Sequence, residues 1–222
     1  MIKAPKFILI LTILINLFFG FSNKQVIGTI PISGNQIASF SVSVKEQSTI
    51  ASLNDFIESV KDGDKNTIRG VYIADNFALR VVEQPANNPN FVSTIEGETT
   101  QFSLAKKYST IGFLAHNFAS GKYFFNLTLG NIVQVIYGDG RIDQFRIMRI
   151  FQFQALQPDS PKSQFVDLQS GEKFSSTQLF EKVYTGNKHI TFQTCIQKDG
   201  KDSWGRLFLI AIPLEEKLDK IP

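Results

Sequence analysis

Short apolar segments separated by turn residues extend from Ile68 almost to the end of the chain, and they constrain its fold more than any other feature. Their lengths and their enrichment in Ile, Val, Phe and Thr are typical of β-strands. Seven segments have this character: 68–73, 78–83, 111–115, 132–137, 141–154, 190–194 and 207–212. Two connections, 100–108 and 175–184, have the spacing of short helices, and Ser175 suits the N-cap of the second. The pattern predicts a mainly β domain, a barrel or a sandwich, with short helices in its connections.

Turn residues mark most of the connections between these strand candidates. The sequence Tyr137-Gly-Asp-Gly-Arg141 predicts a tight hairpin, because Asp-Gly accommodates the positive φ angles that short hairpin turns require. The stretch 196–205 is polar and contains glycine, so we expect a ten-residue loop between the last two strands.

The first 23 residues predict a targeting segment. Lys3 and Lys6 precede the apolar run Phe7–Phe21, an order that predicts a cytoplasmic N-terminus with the remainder outside. As a helix this run would span about 23 Å, less than the hydrocarbon core of about 30 Å. An uncleaved single membrane anchor extended by flanking residues and a signal peptide cleaved after about Ser22 therefore both remain open. Either alternative predicts an exported domain at the extracytoplasmic face of the cell membrane, or secreted from it.

The rest of the chain divides into an extension, residues 24–67, and a single domain, residues 68–222. Within the extension, 25–44 predicts two short strands and 48–60 has helical spacing. A spacer, a regulatory lid and additional barrel strands are all compatible with this segment. The net charge of +3 without a run of basic residues argues against a nucleic-acid partner.

Cys195 is the only cysteine in the chain. Exported proteins usually carry cysteines in pairs, so a lone thiol is either a small buried apolar side chain or a functional group. Cys195 follows the strand candidate 190–194, and Arg206 begins the next one. If these strands pair as a hairpin, Arg206 lies opposite Cys195. A guanidinium there would favour the thiolate or donate hydrogen bonds to an oxyanion, whereas the alternative is a surface charge at a strand edge.

The chain has two histidines, His116 and His189. His116 ends an apolar strand candidate and precedes Asn117, so its imidazole is placed to exchange protons in a loop. A structural histidine is the alternative. His189 lies six residues before Cys195. At about 3.3 Å per residue the two are roughly 20 Å apart, and we expect His189 to serve packing or the surface.

Two segments resemble the sortase family. Thr191-Phe-Gln-Thr-Cys195, followed by Trp204-Gly-Arg206, is similar to the TLxTC motif and the arginine that begins the next strand. Phe192 replaces the usual leucine. Gly112-Phe-Leu-Ala-His116-Asn117 resembles the segment that carries the family's histidine, with Ala115 at the position commonly held by glycine.

The resemblance implies a closed β-barrel of about eight strands with short helices in the connections. It implies a bacterial cysteine transpeptidase that acts on proteins bearing a C-terminal sorting signal such as LPxTG. Cys195 would form a thioester, and an amine from a cell-wall peptide or a protein lysine would release the acyl group. The implied catalytic residues are Cys195, His116 and Arg206, and the implied substrate-binding residues are Thr194, Trp204 and Asn117. For Trp204, core packing is an equal alternative.

No cofactor or metal site is expected, because two separated histidines and one cysteine make a poor ligand set. Some sortases bind calcium, but Glu96, Glu98 and Asp139 are better explained as solvated carboxylates. Two other functions remain open. One is an exported thiol hydrolase that acts on peptides, and the other is a non-catalytic, anchored binding or scaffold module on the same fold.

Overall fold

The computed structural model describes residues 26–28, 40–42, 52–160 and 162–214. The two helices are α1 (Leu53–Val60) and α2 (Ser176–Tyr184), and short 3₁₀ helices cover Ala105–Tyr108 and Ser120–Asn126. The strands are β1 (Val26–Gly28), β2 (Phe40–Val42), β3 (Ile68–Ile73), β4 (Phe77–Glu83), β5 (Glu98–Gln101), β6 (Thr110–Leu114), β7 (Ile132–Tyr137), β8 (Ile142–Ala155), β9 (Phe165–Asp167), β10 (Lys173–Phe174), β11 (His189–Lys198) and β12 (Lys201–Pro213).

The chain forms two units that divide after Ser48. In the first unit, β1 and β2 pair as an antiparallel two-stranded sheet. All other described elements belong to the second unit.

The long strand β8 closes the second unit into a barrel. Ten strands form one sheet in the order β10-β9-β8-β12-β11-β6-β5-β4-β3-β7, and β7 also pairs with β8. The first half of β8 pairs with β7 and its last residues pair with β9, while β12 follows its other edge. Eight strands therefore form a closed ring, and β9 and β10 extend the sheet outside it. The predicted mainly β fold, a closed barrel with short helices in the connections, is confirmed.

Strand alternation separates two apolar clusters. Phe113, Phe192 and Leu209 lie inside the barrel and are fully buried. On the outer face, Phe153 and Phe208 pack with Tyr184 of α2 in a second cluster. Successive residues of β11 and β12 consequently face either the barrel interior or the surface that α2 covers.

The two helices begin at capping residues that the sequence provides. Ser175 and Gln178 form a reciprocal capping box at the start of α2, so the predicted N-cap is confirmed. Helix α1 begins after Ser52 and buries Phe56 and Val60 in a third cluster on the barrel. This helix belongs to the segment 24–67 that the sequence assigns to an extension.

The helix predicted over 100–108 is wrong in its first part. Residues Glu98–Gln101 form β5, which pairs in parallel with β4 and buries Thr99 and Thr100 completely. β-Branched threonines suit a strand, and this long-range pairing overrides the local helical spacing. Only Ala105–Tyr108 is helical, as a 3₁₀ turn.

Among the described residues, no helix has the length and apolar character needed to cross a bilayer. The predicted targeting segment, residues 1–23, lies outside the described residues.

Candidate active site

A two-residue turn joins the strands that carry Cys195 and Arg206. Asp199 and Gly200 have φ angles of 51° and 75°, and β11 and β12 pair on either side of them. The predicted ten-residue loop over 196–205 is therefore wrong: Asp-Gly makes a tight hairpin turn, and the polar residues around it are exposed ends of paired strands. Cys195 lies within β11 rather than at its end.

The hairpin register places Arg206 directly opposite Cys195, as the sequence predicts. Residues opposite each other on an antiparallel pair project from the same face, with Cβ atoms about 5 Å apart. The Arg206 Nη1 atom donates to the carbonyl oxygens of Ser203 at 2.9 Å and Gly205 at 2.8 Å. Within the described part of the chain, Arg206 forms no ion pair with a carboxylate. Its charge is therefore available to a group on the Cys195 face.

Parallel pairing of β6 with β11 brings His116 to the same place. The register aligns Gln193 with Leu114, and the Ala115 backbone nitrogen donates to the Gln193 carbonyl oxygen at 3.2 Å. The pairing of β6 with β11 ends at Leu114 and Gln193, and extending its register by two residues would set His116, in the turn after β6, beside Cys195 at the strand spacing of about 4.8 Å. We call His116, Cys195 and Arg206, which this register aligns on the outer face of the barrel, the active-site row.

The side chains at the centre of the active-site row are partly accessible. His116, Cys195 and Arg206 are each half-buried. The imidazole of His116 stacks against the ring of Phe118, with 4.8 Å between centroids and an interplanar angle of 13°. Phe118 was not identified from the sequence, and the only available signal was an apolar residue in an otherwise polar loop.

The hydroxyl of Thr194 does not join the active-site row. Strand alternation turns its side chain away from Cys195, and the residue is only 2% exposed. Among the residues that the structure describes, its Oγ1 atom has no hydrogen-bond partner, and it lies against Gly121. The contact between Thr194 and a substrate backbone therefore stays a prediction.

Trp204 and Asn117 are both engaged near the row. Trp204 lies two residues before Arg206 on β12, and the Lys198 ammonium lies 4.7 Å from the centre of its ring. The Asn117 side-chain amide donates to the Asp202 carbonyl oxygen at 3.1 Å. This bond ties the loop after His116 to the β11–β12 hairpin, and the predicted substrate contacts of Trp204 and Asn117 stay predictions.

A buried tyrosine, Tyr184, holds a side chain next to Cys195 on β11. The Tyr184 hydroxyl donates to Gln193 Oε1 at 2.6 Å, and Gln193 shares the outer face of β11 with Cys195. Burial raises the pKa of Tyr184 well above its ordinary value, so the hydroxyl keeps the proton that it donates. No local sequence pattern connects these residues, because α2 and β11 meet only in the folded barrel.

His189 has a packing role, and this prediction is confirmed. The residue is 7% exposed. Its Nδ1 lies 2.7 Å from the Asn187 carbonyl oxygen, and its Nε2 lies 3.0 Å from that of Val183. His116 is therefore the histidine that remains for chemistry at Cys195.

The carboxylates considered for calcium have protein partners. Hydrogen bonds from Lys122 and then Tyr123 hold the pKa of Glu96 below its ordinary value. Glu98 accepts a hydroxyl hydrogen bond, and Asp139 accepts one from a backbone nitrogen. Over the described ranges, no group of three or more His, Cys, Asp or Glu side chains is placed to hold a metal ion.

Replacing Thr194 with valine is expected to raise the melting temperature slightly. Valine keeps the shape of the side chain and removes a buried hydroxyl that has no partner, a gain of about 1 kcal/mol. For a domain of this size the shift is about 2–4 °C, measured by calorimetry. Thr185→Val, which removes a hydroxyl bonded to the Glu181 carbonyl oxygen, is the control. A lower melting temperature for Thr194→Val would show that the hydroxyl donates to a neighbouring carbonyl.

Comparison with known proteins gives similarity at the level of architecture. No family model and no curated protein matches the chain. Sortase A from Listeria monocytogenes is 8% identical, with a TM-score of 0.43 over 67% of this chain and 88% of that one. Sortase C1 from Streptococcus suis is 10% identical, with a TM-score of 0.46 over 76% and 81% of the two chains. Sortase E1 from Streptomyces coelicolor is 15% identical, with a TM-score of 0.41 over 70% and 91%. The chain is similar to these sortases in fold alone, so its function has to rest on the residues of the active-site row.

Proposed function

We propose that this protein is a cysteine transpeptidase in which Cys195 forms a thioester with a peptide substrate. The observation that carries the proposal is the active-site row: a thiol, an imidazole and a guanidinium that are each half-buried on one face of the barrel. These are the groups that nucleophilic acyl transfer requires, namely a nucleophile, a proton carrier and a donor to the oxyanion.

The first half of the reaction forms the acyl-enzyme. The Cys195 thiolate attacks a backbone carbonyl carbon, and the developing oxyanion accepts hydrogen bonds from Arg206. The carbon–nitrogen bond then breaks, and protonated His116 gives a proton to the leaving amine. The products are a thioester on Cys195 and a peptide with a new amino terminus.

The second half transfers the acyl group to an amine. The incoming amine attacks the thioester carbon and passes a proton to His116, and the carbon–sulfur bond breaks to regenerate the thiolate. The cleaved bond lies within a C-terminal sorting signal such as LPxTG, and a cell-wall peptide or a protein lysine supplies the amine. Residues 1–23 direct the enzyme out of the cytoplasm. Its substrates are found outside, at the cell surface.

Arg206→Lys is expected to lower kcat/KM for thioester formation by about a hundredfold. An ammonium keeps the charge but lacks the planar pair of donors that reaches an oxyanion beside the thiol. The rate of acyl-enzyme formation is measured by intact-protein mass spectrometry on reactions that are quenched at successive times. Arg149→Lys, at an exposed arginine of β8, is the matched control and should retain the parental rate. Parental activity in Arg206→Lys would remove Arg206 from the mechanism.

Intact-protein mass spectrometry tests the whole proposal. The chain is mixed with LPxTG-type peptides and several candidate amines, with Cys195→Ala as the blank. An adduct on Cys195 that an amine discharges into a ligated peptide is the expected result. Discharge by water alone would make the protein a thiol hydrolase. No adduct, together with a thiol inert to small electrophiles, would favour a binding or scaffold module.

A further inference from the structure

The turn that follows β6 folds back on the residue it begins with. We call residues 116–121 the histidine turn. The His116 carbonyl oxygen accepts hydrogen bonds from the backbone nitrogens of Ala119 at 3.0 Å and Gly121 at 2.9 Å. The peptide group that carries the His116 side chain is therefore fixed by the end of its own turn.

Gly121 closes the histidine turn at a point where no side chain fits. A Cβ atom on Gly121 would lie 2.7 Å from the carbonyl oxygens of Ala115 and His116 and would overlap Thr194 Oγ1. Gly121 does not have a positive φ angle, so the requirement for glycine here concerns space. Both carbonyl oxygens belong to the backbone, so an added Cβ would require the histidine turn itself to shift.

Thr194 is the surface on which this turn rests. Its buried side chain contacts Gly121 from inside the barrel, and its backbone leads directly into Cys195. The close approach of Gly121 to Thr194 therefore fixes the distance between the turn that carries the imidazole and the strand that carries the thiol.

Phe118 holds the other side of the imidazole. Its ring stacks on His116 within 13° of parallel although 64% of the residue is exposed to solvent. An exposed aromatic ring contributes little to the core, so its contact with the imidazole is the interaction left to explain its orientation.

We propose that Gly121 and Phe118 are positioning residues for His116: the missing side chain of Gly121 lets the turn close onto Thr194, and the ring of Phe118 holds the imidazole toward Cys195. The inference rests on the proposed function, in which His116 exchanges protons at the thiol and the reacting amines. Phe118 stacks on His116 and Gly121 closes the turn that begins at His116, so both are expected to affect the thiol through His116.

The test measures the rate at which iodoacetamide alkylates Cys195 between pH 5 and 9. The comparison includes the parent and three single variants, His116→Ala, Gly121→Ala and Phe118→Leu. It also includes the two double variants that combine His116→Ala with each of the other changes. His116→Ala is expected to slow alkylation near neutral pH about tenfold, because the variant lacks the group that takes the proton of the thiol in the proposed function. Gly121→Ala should have the same alkylation rate and pH profile as His116→Ala. The alkylation rate of Phe118→Leu should lie between those of the parent and His116→Ala. Each double variant should be no slower than His116→Ala alone, since residues that act through a shared partner are not additive.

Two matched controls separate positioning from loss of stability. Gly130→Ala strains a glycine with a φ angle of 90° but meets no atom within 4 Å, and it should alkylate at the parental rate. Phe125→Leu changes a ring of similar exposure, 45%, in the following 3₁₀ helix and should also match the parent. Because Phe118 is exposed, Phe118→Leu keeps the test decisive even where Gly121→Ala does not fold.

The outcomes distinguish the two proposals. A parental rate and pH profile in His116→Ala would overturn the proton exchange in the proposed function. If His116→Ala slows alkylation but Phe118→Leu and a folded Gly121→Ala do not, only the positioning inference fails. Losses that multiply in the double variants would also overturn it, because the residues would then act independently of His116.

Discussion

Cys195→Ala is expected to abolish both thioester formation and amine transfer while leaving the fold intact. Without the sulfur no acyl-enzyme can form, and an alanine removes little from a half-buried position on the outer face of β11. A change of about 0.5 kcal/mol or less in the free energy of unfolding is the normal cost at such a site. The measurements are adduct formation by intact mass and the melting temperature of the same sample.

Cys195→Ser is the control that separates chemistry from packing. Serine preserves the size of the side chain, but its hydroxyl is a far weaker nucleophile unless a base removes its proton. We expect parental stability and at most traces of product. A Cys195→Ala variant that is inactive and also melts far below the parent would instead assign the cysteine a packing role.

Phe192→Ala is expected to lower the free energy of unfolding by about 3–5 kcal/mol, the largest stability loss that we expect from one substitution in the barrel. The Phe192 ring is fully buried and lies 5.1 Å from that of Phe124, 5.4 Å from that of Phe113 and 6.2 Å from that of Phe77, between centroids. Alanine would leave a cavity between the three remaining rings. Equilibrium unfolding in urea, with an unchanged m-value, measures the loss.

Two further variants calibrate this value. Phe192→Leu introduces the residue common in the sortase motif and should cost about 1 kcal/mol, since most of the apolar volume is kept. Phe125→Ala removes a half-exposed ring from the neighbouring 3₁₀ helix and should cost less than about 1 kcal/mol. Equal losses for Phe192→Ala and Phe125→Ala would show that the aromatic cluster does not stabilise the barrel in the way its burial implies.

The sequence predicts those strands whose apolar residues are continuous and bounded by turn residues. The predicted bounds of 68–73 and 132–137 agree with β3 and β7 to the residue, because burial on the sheet and the local pattern coincide there. The Tyr137–Arg141 hairpin also forms, with Gly140 at a φ angle of 89°. The expected hairpin was enough to predict that Arg206 lies opposite Cys195, whereas the association of His116 with Cys195 came from the resemblance to sortases.

The β11–β12 hairpin shows why other strand boundaries could not be predicted from the sequence. Asp199-Gly200 repeats the Asp-Gly dipeptide of 139–140, although both residues have positive φ angles at 199–200 and only the glycine does at 139–140. Its flanking residues are polar because the strand ends extend into solvent. Polar residues indicate exposure to solvent and not backbone conformation. The sequence therefore predicts a loop where the ends of β11 and β12 are in fact paired. Strand β5 was not predicted for another reason. It is defined by its parallel pairing with β4, and no local sequence pattern indicates that pairing.

For Thr194 the signal was present in the sequence. Adjacent residues of a strand face opposite sides of the sheet, so alternation predicts the observed orientation of the Thr194 side chain, away from that of Cys195. For Gly121 and Phe118 the sequence offers no more than a glycine and an apolar residue in a loop, because their contacts depend on how the histidine turn closes against β11.

The parallel pairing of β6 with β11 also bears on how the site assembles as the chain folds. Cys195 and Arg206 belong to one hairpin, and hairpins of this kind form within microseconds. His116 joins them only through a contact between distant parts of the chain, and contacts of that range form late. We therefore expect the thiol and the guanidinium to meet before the imidazole joins them. In the proposed function, the site would gain its proton carrier only when the barrel is complete.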